Sequence, residues 1–182
     1  MTTLQRTKEA LLVIDVQVGI METAFEGPKK VELIAAIVAR ARKAGVPVIW
    51  VQHNEPGFER DSDGWQLSPE LVPLPNEPHI HKNFRSSFES TELDEVLEKL
   101  GVGHVYLCGA ESNHCVRFTT HSALDRGYDV TLIADAHTTT GFEWNGIVVD
   151  AKAVIDEQNT NFGGFALPGR TMAVLASSEL PF

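Results

Sequence analysis

Short apolar runs alternate along this chain with longer segments whose apolar residues recur at helical spacing. The short runs predict strands at residues 10–14, 46–51, 79–82, 104–108, 129–134 and 171–175. The helical spacing predicts helices at residues 31–44, 91–100, 114–126 and 147–158. Gly45 and Gly127 follow two of these helices, at the position where a glycine commonly ends a helix.

Strands of about six residues that alternate with helices indicate a parallel sheet covered on both faces. We therefore predict an α/β fold, a Rossmann-like three-layer sandwich with a mostly parallel six-stranded sheet and helices on both faces. The chain has 182 residues and no repeat or linker, which predicts a single domain over residues 1–182. Residues 55–78 are rich in Pro, Gly, Asp and Ser and predict a long loop, whereas residues 159–169 show no clear pattern.

Composition excludes several classes of protein. The net charge of −10 argues against a nucleic-acid partner, which would favour a basic face. No apolar run approaches the roughly 20 residues of a membrane span, and the N-terminal residues lack the layout of a signal peptide. Two cysteines cannot form a disulfide framework, so we expect a reduced, cytoplasmic setting. No glycine fingerprint follows the first strand, which argues against a dinucleotide-binding protein.

Reactive side chains follow the predicted strands at the points where the strands end. Asp15 follows the first strand, Lys82 ends the third, and residues 109–115 follow the fourth. Gln52 and His53 follow the second strand, and residues 135–137 follow the fifth. Ligands of parallel α/β sheets bind at the carboxyl ends of the strands, so we expect the functional site at this edge.

Cys115 is the candidate nucleophile because it lies at or near the start of the predicted helix 114–126. The helix start favours a thiolate, and backbone N–H groups of the same turn are suited to bind an oxyanion. The alternative is a small apolar residue buried under the helix. Cys108 lies inside an apolar strand and is expected in the core.

Asp15 and Lys82 are the candidate partners of this thiol. Asp15 is suited to act as a general base, although an Asp at a strand end also caps turns. Lys82 lies between apolar and aromatic residues in HIHKNF, and near a thiol it would lower the thiol pKa. The alternative for Lys82 is an ordinary solvated surface residue.

Taken together, these motifs resemble the isochorismatase-like cysteine hydrolases, which include nicotinamidases, carbamoylsarcosine amidase, and ureidoacrylate and biuret hydrolases. The resemblance rests on the D-x-Q of Asp15 and Gln17, on Lys82, and on the G-x-x-x-N-x-C-V turn from Gly109 to Val116. It implies an Asp15–Lys82–Cys115 triad that cleaves a small amide, ureide or carbamoyl substrate through a thioester, without a cofactor. It also implies association into dimers or tetramers.

The resemblance further implies a cis peptide between Ala110 and Glu111, which would direct the amides of Glu111 and Cys115 toward one oxyanion hole. Family members often have Thr or Ala where Glu111 stands, so the charged side chain is a departure.

Nicotinamidases of this family bind a metal through an Asp-x-His after the second strand. Here that place reads Gln52-His53-Asn54, and Gln is a poor substitute for a carboxylate ligand. We therefore expect no catalytic metal, and we expect His53 to line the pocket or to bond a backbone group.

Substrate contacts are predicted from both sides of the strand-end edge. Trp65, Phe84 and Phe88 are candidates for an apolar wall, with ordinary packing as the alternative. Gln17 and Asn113 are the candidate polar contacts. Two other functions remain open at this point: the vinyl-ether hydrolysis of isochorismatase itself, and a small-molecule-binding domain of the same fold without turnover.

Overall fold

The computed structural model describes residues 5–182. Its strands are β1 Lys8–Ile14, β2 Val48–His53, β3 His79–Lys82, β4 Val102–Ala110, β5 Asp129–Thr138, β6 Phe142–Trp144, β7 Ile147–Val149 and β8 Met172–Leu175. Its α-helices are α1 Val18–Met21, α2 Gly27–Lys43, α3 Leu93–Leu100, α4 Arg117–Asp125 and α5 Ala151–Gly163. A π-helical turn at Ser112–Val116 precedes α4, and a 3₁₀ turn spans Ser177–Glu179.

One six-stranded sheet forms the centre of the molecule, in the order β3-β2-β1-β4-β5-β8. All of its neighbouring strands pair in parallel, with registers such as Leu11 opposite Val48 on β2 and Leu11 opposite Tyr106 on β4. The predicted α/β class and the mostly parallel six-stranded sheet are therefore confirmed. The crossovers place β1 between β2 and β4, so the carboxyl ends of these strands share one edge.

Helices cover both faces of the sheet, because alternate residues of each buried strand point to opposite sides. Leu11 and Val13 of β1 pack with the apolar face of α2, including Ile34 and Ile37. Leu12 and Ile14 face the other side, where the core contains residues of α3, α4 and α5: Leu93, Leu97, Ala123, Leu124 and Phe162. Because β1 is buried on both faces, its sequence is a continuous apolar run.

The predicted helix at residues 147–158 is wrong over its first part. Ile147–Val149 instead forms β7, which pairs with β6 in an antiparallel hairpin. Asn145 and Gly146 turn the hairpin with φ angles of 51° and 77°, a left-handed pair that suits Asn-Gly. The helix begins only at Ala151, where Asp150 Oδ1 accepts a hydrogen bond of 2.7 Å from the backbone N–H of Ala153.

Several other segments also differ from their predicted bounds, most strands by two to four residues. Helix α2 begins at Gly27, four residues earlier than predicted, because Pro28 starts the helix without belonging to its apolar stripe. The predicted helix at residues 114–126 is divided into the π-helical turn and α4. The unassigned region 159–169 begins as a continuation of α5 to Gly163.

Two of the sequence predictions concern membrane spans and disulfides. Within residues 5–182, every helix is too short or too polar to traverse a bilayer. Both cysteines carry free thiols, and Cys108 is buried in the core as predicted.

Candidate active site

Four neighbouring strands deliver one reactive side chain each to the same edge of the sheet. Asp15 directly follows β1, His53 ends β2, Lys82 ends β3, and Cys115 lies in the π-helical turn after β4. Because the strand order is β3-β2-β1-β4, residues far apart in sequence become neighbours. The edge is therefore where the predicted nucleophile and its partners meet.

Lys82 lies at the centre of this cluster. Its Nζ is 2.7 Å from Asp15 Oδ2, 3.1 Å from Cys115 Sγ and 3.2 Å from His53 Nδ1. The side chains of Lys82 and Asp15 are fully buried, at 0% exposure. Lys82 is thus a buried ammonium with three acceptors, and the reading of it as a solvated surface residue is wrong.

Burial raises the pKa of the Cys115 thiol, and the nearby Asp15 carboxylate raises it further. Lys82 acts in the opposite direction, but its effect is the smaller one. The predicted direction of the Lys82 effect is confirmed, since Lys82 lowers the thiol pKa, but burial and Asp15 outweigh it. Cys115 rests as a neutral thiol, and a base must take its proton before it can attack.

The pKa of Lys82 is raised above its usual range. Burial alone would lower this pKa, but the interactions of the ammonium with the Asp15 carboxylate and with Cys115 outweigh the burial. Lys82 therefore stays charged at neutral pH and remains available to stabilise negative charge on either partner.

Asp15 is held in an uncommon backbone conformation. Its φ angle is 51°, and its backbone N–H donates to the carbonyl of Val51 at 2.9 Å. Asp tolerates this left-handed region better than most residues. Its Oδ1 has no hydrogen-bond partner among the described residues, so one carboxylate oxygen is free to accept a proton.

The peptide bond between Ala110 and Glu111 is cis, as the resemblance implies. The charged side chain of Glu111 is accounted for by its partners. One carboxylate oxygen lies 2.7 Å from His114 Nδ1, and the other accepts a hydrogen bond of 3.3 Å from Thr140 Oγ1. These contacts hold the Glu111 carboxylate beside the nucleophile turn.

A buried histidine contacts the first residue of the π-helical turn. Ser112 Oγ lies 2.7 Å from His137 Nδ1, and His137 Nε2 lies 3.0 Å from Asn159 Oδ1. Burial lowers the pKa of His137 to about 4, so its ring is neutral at pH 7. His137 thereby connects β5 and α5 to the first residue of the π-helical turn.

Cys115 opens onto a cavity of about 740 Å³. Its lining comes from the strand ends, from α1, from the loop after β2 and from the segment after β3. The residues are Asp15, Gly19, Ile20, Thr23, His53, Glu55, Pro56, Gly57, Phe58, Asn83, Phe84, Arg85, Glu111, His114 and Cys115. This volume accommodates a small organic molecule.

The predicted apolar wall is present only in part. Phe84 lines the cavity with about half of its surface exposed. Phe88 is buried in the core against Tyr128, and Trp65 is buried with its ring 5.5 Å from that of His81. Packing explains both of these residues, and Phe58 supplies an aromatic wall that the sequence did not reveal.

The two predicted polar contacts lie outside this cavity. Gln17 is fully buried: its Nε2 donates to the carbonyls of His53 and Trp65, and its Oε1 accepts from the His53 N–H. Gln17 therefore fixes the end of β2 instead of facing a ligand. Asn113 Oδ1 accepts from Thr139 Oγ1 at 2.8 Å and lines a neighbouring cavity of about 550 Å³.

The donor set does not fit a divalent metal. Asp15, His53 and Cys115 present ligand atoms within 4.8 Å of one another, but the Lys82 ammonium lies within 3.2 Å of all three. A cation there would face this fixed positive charge. Gln52 is buried, its Nε2 donates to the carbonyl of Trp65, and it offers no carboxylate to a metal.

Sequence reasoning missed the Glu111–His114 pair and the contribution of α1 to the cavity. The spacing of Glu111 and His114, three residues apart at a helix start, was a signal for the pair. Gly19 and Ile20 of α1, and Thr23 just after it, line the cavity without any such signal in the sequence.

Comparisons with known proteins point to one family. An isochorismatase domain model matches residues 9–148. The chain is 32% identical over 154 residues to an uncharacterized isochorismatase family protein of Bacillus subtilis (strain 168), covering 80% of this chain and 86% of that protein. It is 34% identical over 140 residues to a streptothricin hydrolase of Streptomyces noursei, covering 74% of this chain and only 56% of that protein.

A solved structure extends the likeness over nearly the whole chain. An isochorismatase from Pseudomonas putida KT2440 superimposes with a TM-score of 0.86 at 28% identity, covering 99% of this chain and 92% of that one. More distant relatives include proteins named nicotinamidase and ureidoacrylate amidohydrolase. The family model and these relatives define a hydrolytic enzyme with a parallel α/β fold. The chain belongs to the isochorismatase family.

Proposed function

We propose that this protein is a cysteine-dependent hydrolase that cleaves a small amide, ureide or carbamoyl substrate. Cys115 is the nucleophile, Asp15 is the general base and acid, and Lys82 stabilises the charges of both. The observation that carries the proposal is the contact of the buried Lys82 ammonium with Asp15 Oδ2 at 2.7 Å and with Cys115 Sγ at 3.1 Å. A purely structural ion pair would not need a thiol as its third member.

The first half of the reaction forms a thioester. Asp15 accepts the proton of Cys115, and the thiolate attacks the carbonyl carbon of the substrate. The amides of Glu111 and Cys115 bind the oxyanion of the tetrahedral intermediate. When the C–N bond breaks, the proton held by Asp15 passes to the leaving nitrogen, and the acyl group remains on the sulfur.

The second half releases the acid and restores the site. Asp15, again ionised, accepts a proton from a water molecule, whose oxygen attacks the thioester carbon. The C–S bond breaks, and the proton on Asp15 returns to the Cys115 sulfur. Lys82 remains protonated throughout, consistent with its raised pKa.

The choice of C–N bonds is supported by the relatives named nicotinamidase and ureidoacrylate amidohydrolase. The 740 Å³ cavity adds a limit on size, because it accommodates a small molecule. The polar groups of Asn83, Arg85 and Glu111 around it suit a polar substrate better than a purely apolar one.

Ammonia release from a panel of small amides, ureides and carbamoyl compounds tests this proposal. We expect the wild-type chain to release ammonia from at least one of them, and Cys115→Ala to reduce the rate at least about a thousandfold. Cys108→Ala is the matched control, because Cys108 is buried in β4 and faces the core.

Full activity of Cys115→Ala on a verified substrate would refute the role of the thiol. Turnover of a vinyl ether by Cys115→Ala would favour the isochorismatase-type reaction. Tight binding without any turnover would favour a binding domain of the same fold.

A further inference from the structure

The Lys82 ammonium has a third neighbour beyond the two proposed catalytic groups. An ammonium carries three N–H donors and no acceptor. Two of them are used by Asp15 and Cys115, and the Lys82 Nζ also lies 3.2 Å from Nδ1 of His53, which is placed to accept the third. His53 therefore completes the shell of acceptors around a fully buried charge.

This contact fixes the tautomer of the His53 ring. Because Lys82 can only donate, Nδ1 must be the acceptor and carry no proton. The ring proton is then on Nε2, which lies 3.5 Å from Glu55 Oε2. Glu55 lies toward the solvent, with 63% of its side chain exposed, whereas the His53 side chain is largely buried, at 14%.

The backbone of His53 is also held in place. Gln17 Oε1 accepts a hydrogen bond of 2.9 Å from the His53 N–H, and Gln17 Nε2 donates to the His53 carbonyl at 3.2 Å. The side chain of a fully buried residue thus secures the end of β2 from both sides. These hydrogen bonds hold the His53 backbone in place, so its imidazole can hold the Lys82 ammonium at a fixed position.

We propose that His53 is a positioning residue that holds the Lys82 ammonium against Cys115 and Asp15, with Glu55 orienting the imidazole. The inference rests on the proposed function, since it assigns a role beside the same nucleophile. It adds a fourth side chain to the cluster and gives a reason for a histidine at the end of β2.

The physical basis is the cost of an unsatisfied donor on a buried charge. Without an acceptor at Nδ1, the third N–H of Lys82 has no partner, and the protonated form loses stability. A weaker or displaced ammonium then stabilises the Cys115 thiolate less. Removal of the His53 imidazole would therefore destabilise the Cys115 thiolate, even though His53 makes no bond to the sulfur.

Alkylation of Cys115 by iodoacetamide tests this role without a known substrate. The thiolate displaces iodide, and peptide mass spectrometry follows modification of Cys115 across pH. We expect His53→Leu to slow alkylation about tenfold at pH 7 and to shift the pH profile upward. His53→Asn should keep the wild-type rate within about threefold, because Asn offers an acceptor oxygen near the position of Nδ1. His81→Leu is the control, because the His81 ring packs against Trp65 instead, with ring centroids 5.5 Å apart.

A second measurement keeps the inference falsifiable if His53→Leu does not fold. Long-range ¹H–¹⁵N NMR spectra of the wild-type protein distinguish the two imidazole tautomers. We expect His53 with a bare Nδ1 and a protonated Nε2.

A proton on Nδ1, or an unchanged alkylation profile in folded His53→Leu, would overturn the role of His53. Neither result depends on ammonia release. The failure of this inference is therefore distinguishable from failure of the proposed function, which loss of the Cys115 thiol tests.

Discussion

Asp15 has two opposing effects on Cys115 at the scale of single residues. Its negative charge raises the pKa of the thiol, and the same carboxylate is the proposed base that removes the proton. The sequence predicted that these residues meet, because each follows a strand. It did not predict the neutral resting thiol, since that depends on burial and on distances of a few ångström.

Asp15→Asn should therefore separate the two effects. We expect hydrolysis to fall at least about a hundredfold, because the general base is lost. Alkylation of Cys115 by iodoacetamide at pH 7 should become faster, because removal of the negative charge lowers the thiol pKa. The two rates are measured on the same preparation, and a native circular dichroism spectrum is required because unfolding would also expose the thiol and speed its alkylation. Slower alkylation with a native circular dichroism spectrum would contradict the assigned electrostatics.

At the scale of elements, strands and their ends were more predictable than helix starts. The apolar runs located all six strands of the central sheet within a few residues. The hairpin of β6 and β7 was missed because Ile147, Val148 and Val149 were read as the start of the helical pattern that follows. The Asn145-Gly146 pair was a usable signal for the turn, whereas the start of α2 at Gly27 has no apolar periodicity.

Gly109 lies near the end of β4, shortly before the π-helical turn that contains Cys115. It pairs with Ile14 at the end of β4, its φ is 115°, and a Cβ there would lie 1.9 Å from the Ile14 carbonyl oxygen. We expect Gly109→Ala to lower the free energy of unfolding by about 3 kcal/mol or more. Gly45→Ala is the matched control at φ 75° with open space around it, and should cost about 1 kcal/mol. Urea unfolding measures both, and equal costs would show that the close approach of the strands is unimportant.

His137 makes the packing of β5, α5 and the π-helical turn dependent on pH. Burial lowers its folded pKa to about 4, whereas an unfolded histidine titrates near 6.5. Below pH 6.5 the unfolded state binds a proton that the folded state does not, so this contribution is complete above pH 6.5 and is lost toward pH 4. Between pH 7 and pH 5 the loss is about 2 kcal/mol.

Urea unfolding of the wild type and of His137→Gln at both pH values isolates this contribution. The carboxylates titrate alike in the two proteins, so we expect the variant to lose about 2 kcal/mol less on acidification. Identical losses would contradict a neutral, buried His137.

At the scale of the whole molecule, a parallel sheet with β1 at its centre brings residues 15, 53, 82 and 115 together. The class of fold and the location of the site follow from the order of the elements, so they could be read from the sequence. The cavity could not be predicted from the sequence. It is lined in part by Phe58 and by residues of α1, whose positions depend on irregular segments of the chain.

Association into dimers or tetramers remains a prediction of the resemblance. The hairpin of β6 and β7 gives it a physical reason, since Phe142, Trp144 and Ile147 share one face of the hairpin and are 47% to 71% exposed. Monomers seldom expose such a contiguous apolar surface. We expect light scattering to give two or four times the chain mass of 20.0 kDa. A particle of single-chain mass at micromolar concentration would contradict this prediction.

Trapping with hydroxylamine is the sharpest test of a covalent intermediate on Cys115. A thioester partitions between water and this stronger nucleophile, so an amide substrate turned over in its presence should yield a hydroxamate at the expense of the acid. We expect hydroxamate from the wild type and from Cys108→Ala, none from Cys115→Ala, and an acyl mass on the Cys115 peptide after acid quenching. Substrate turnover with no hydroxamate and no acyl mass on Cys115 would contradict the thioester mechanism.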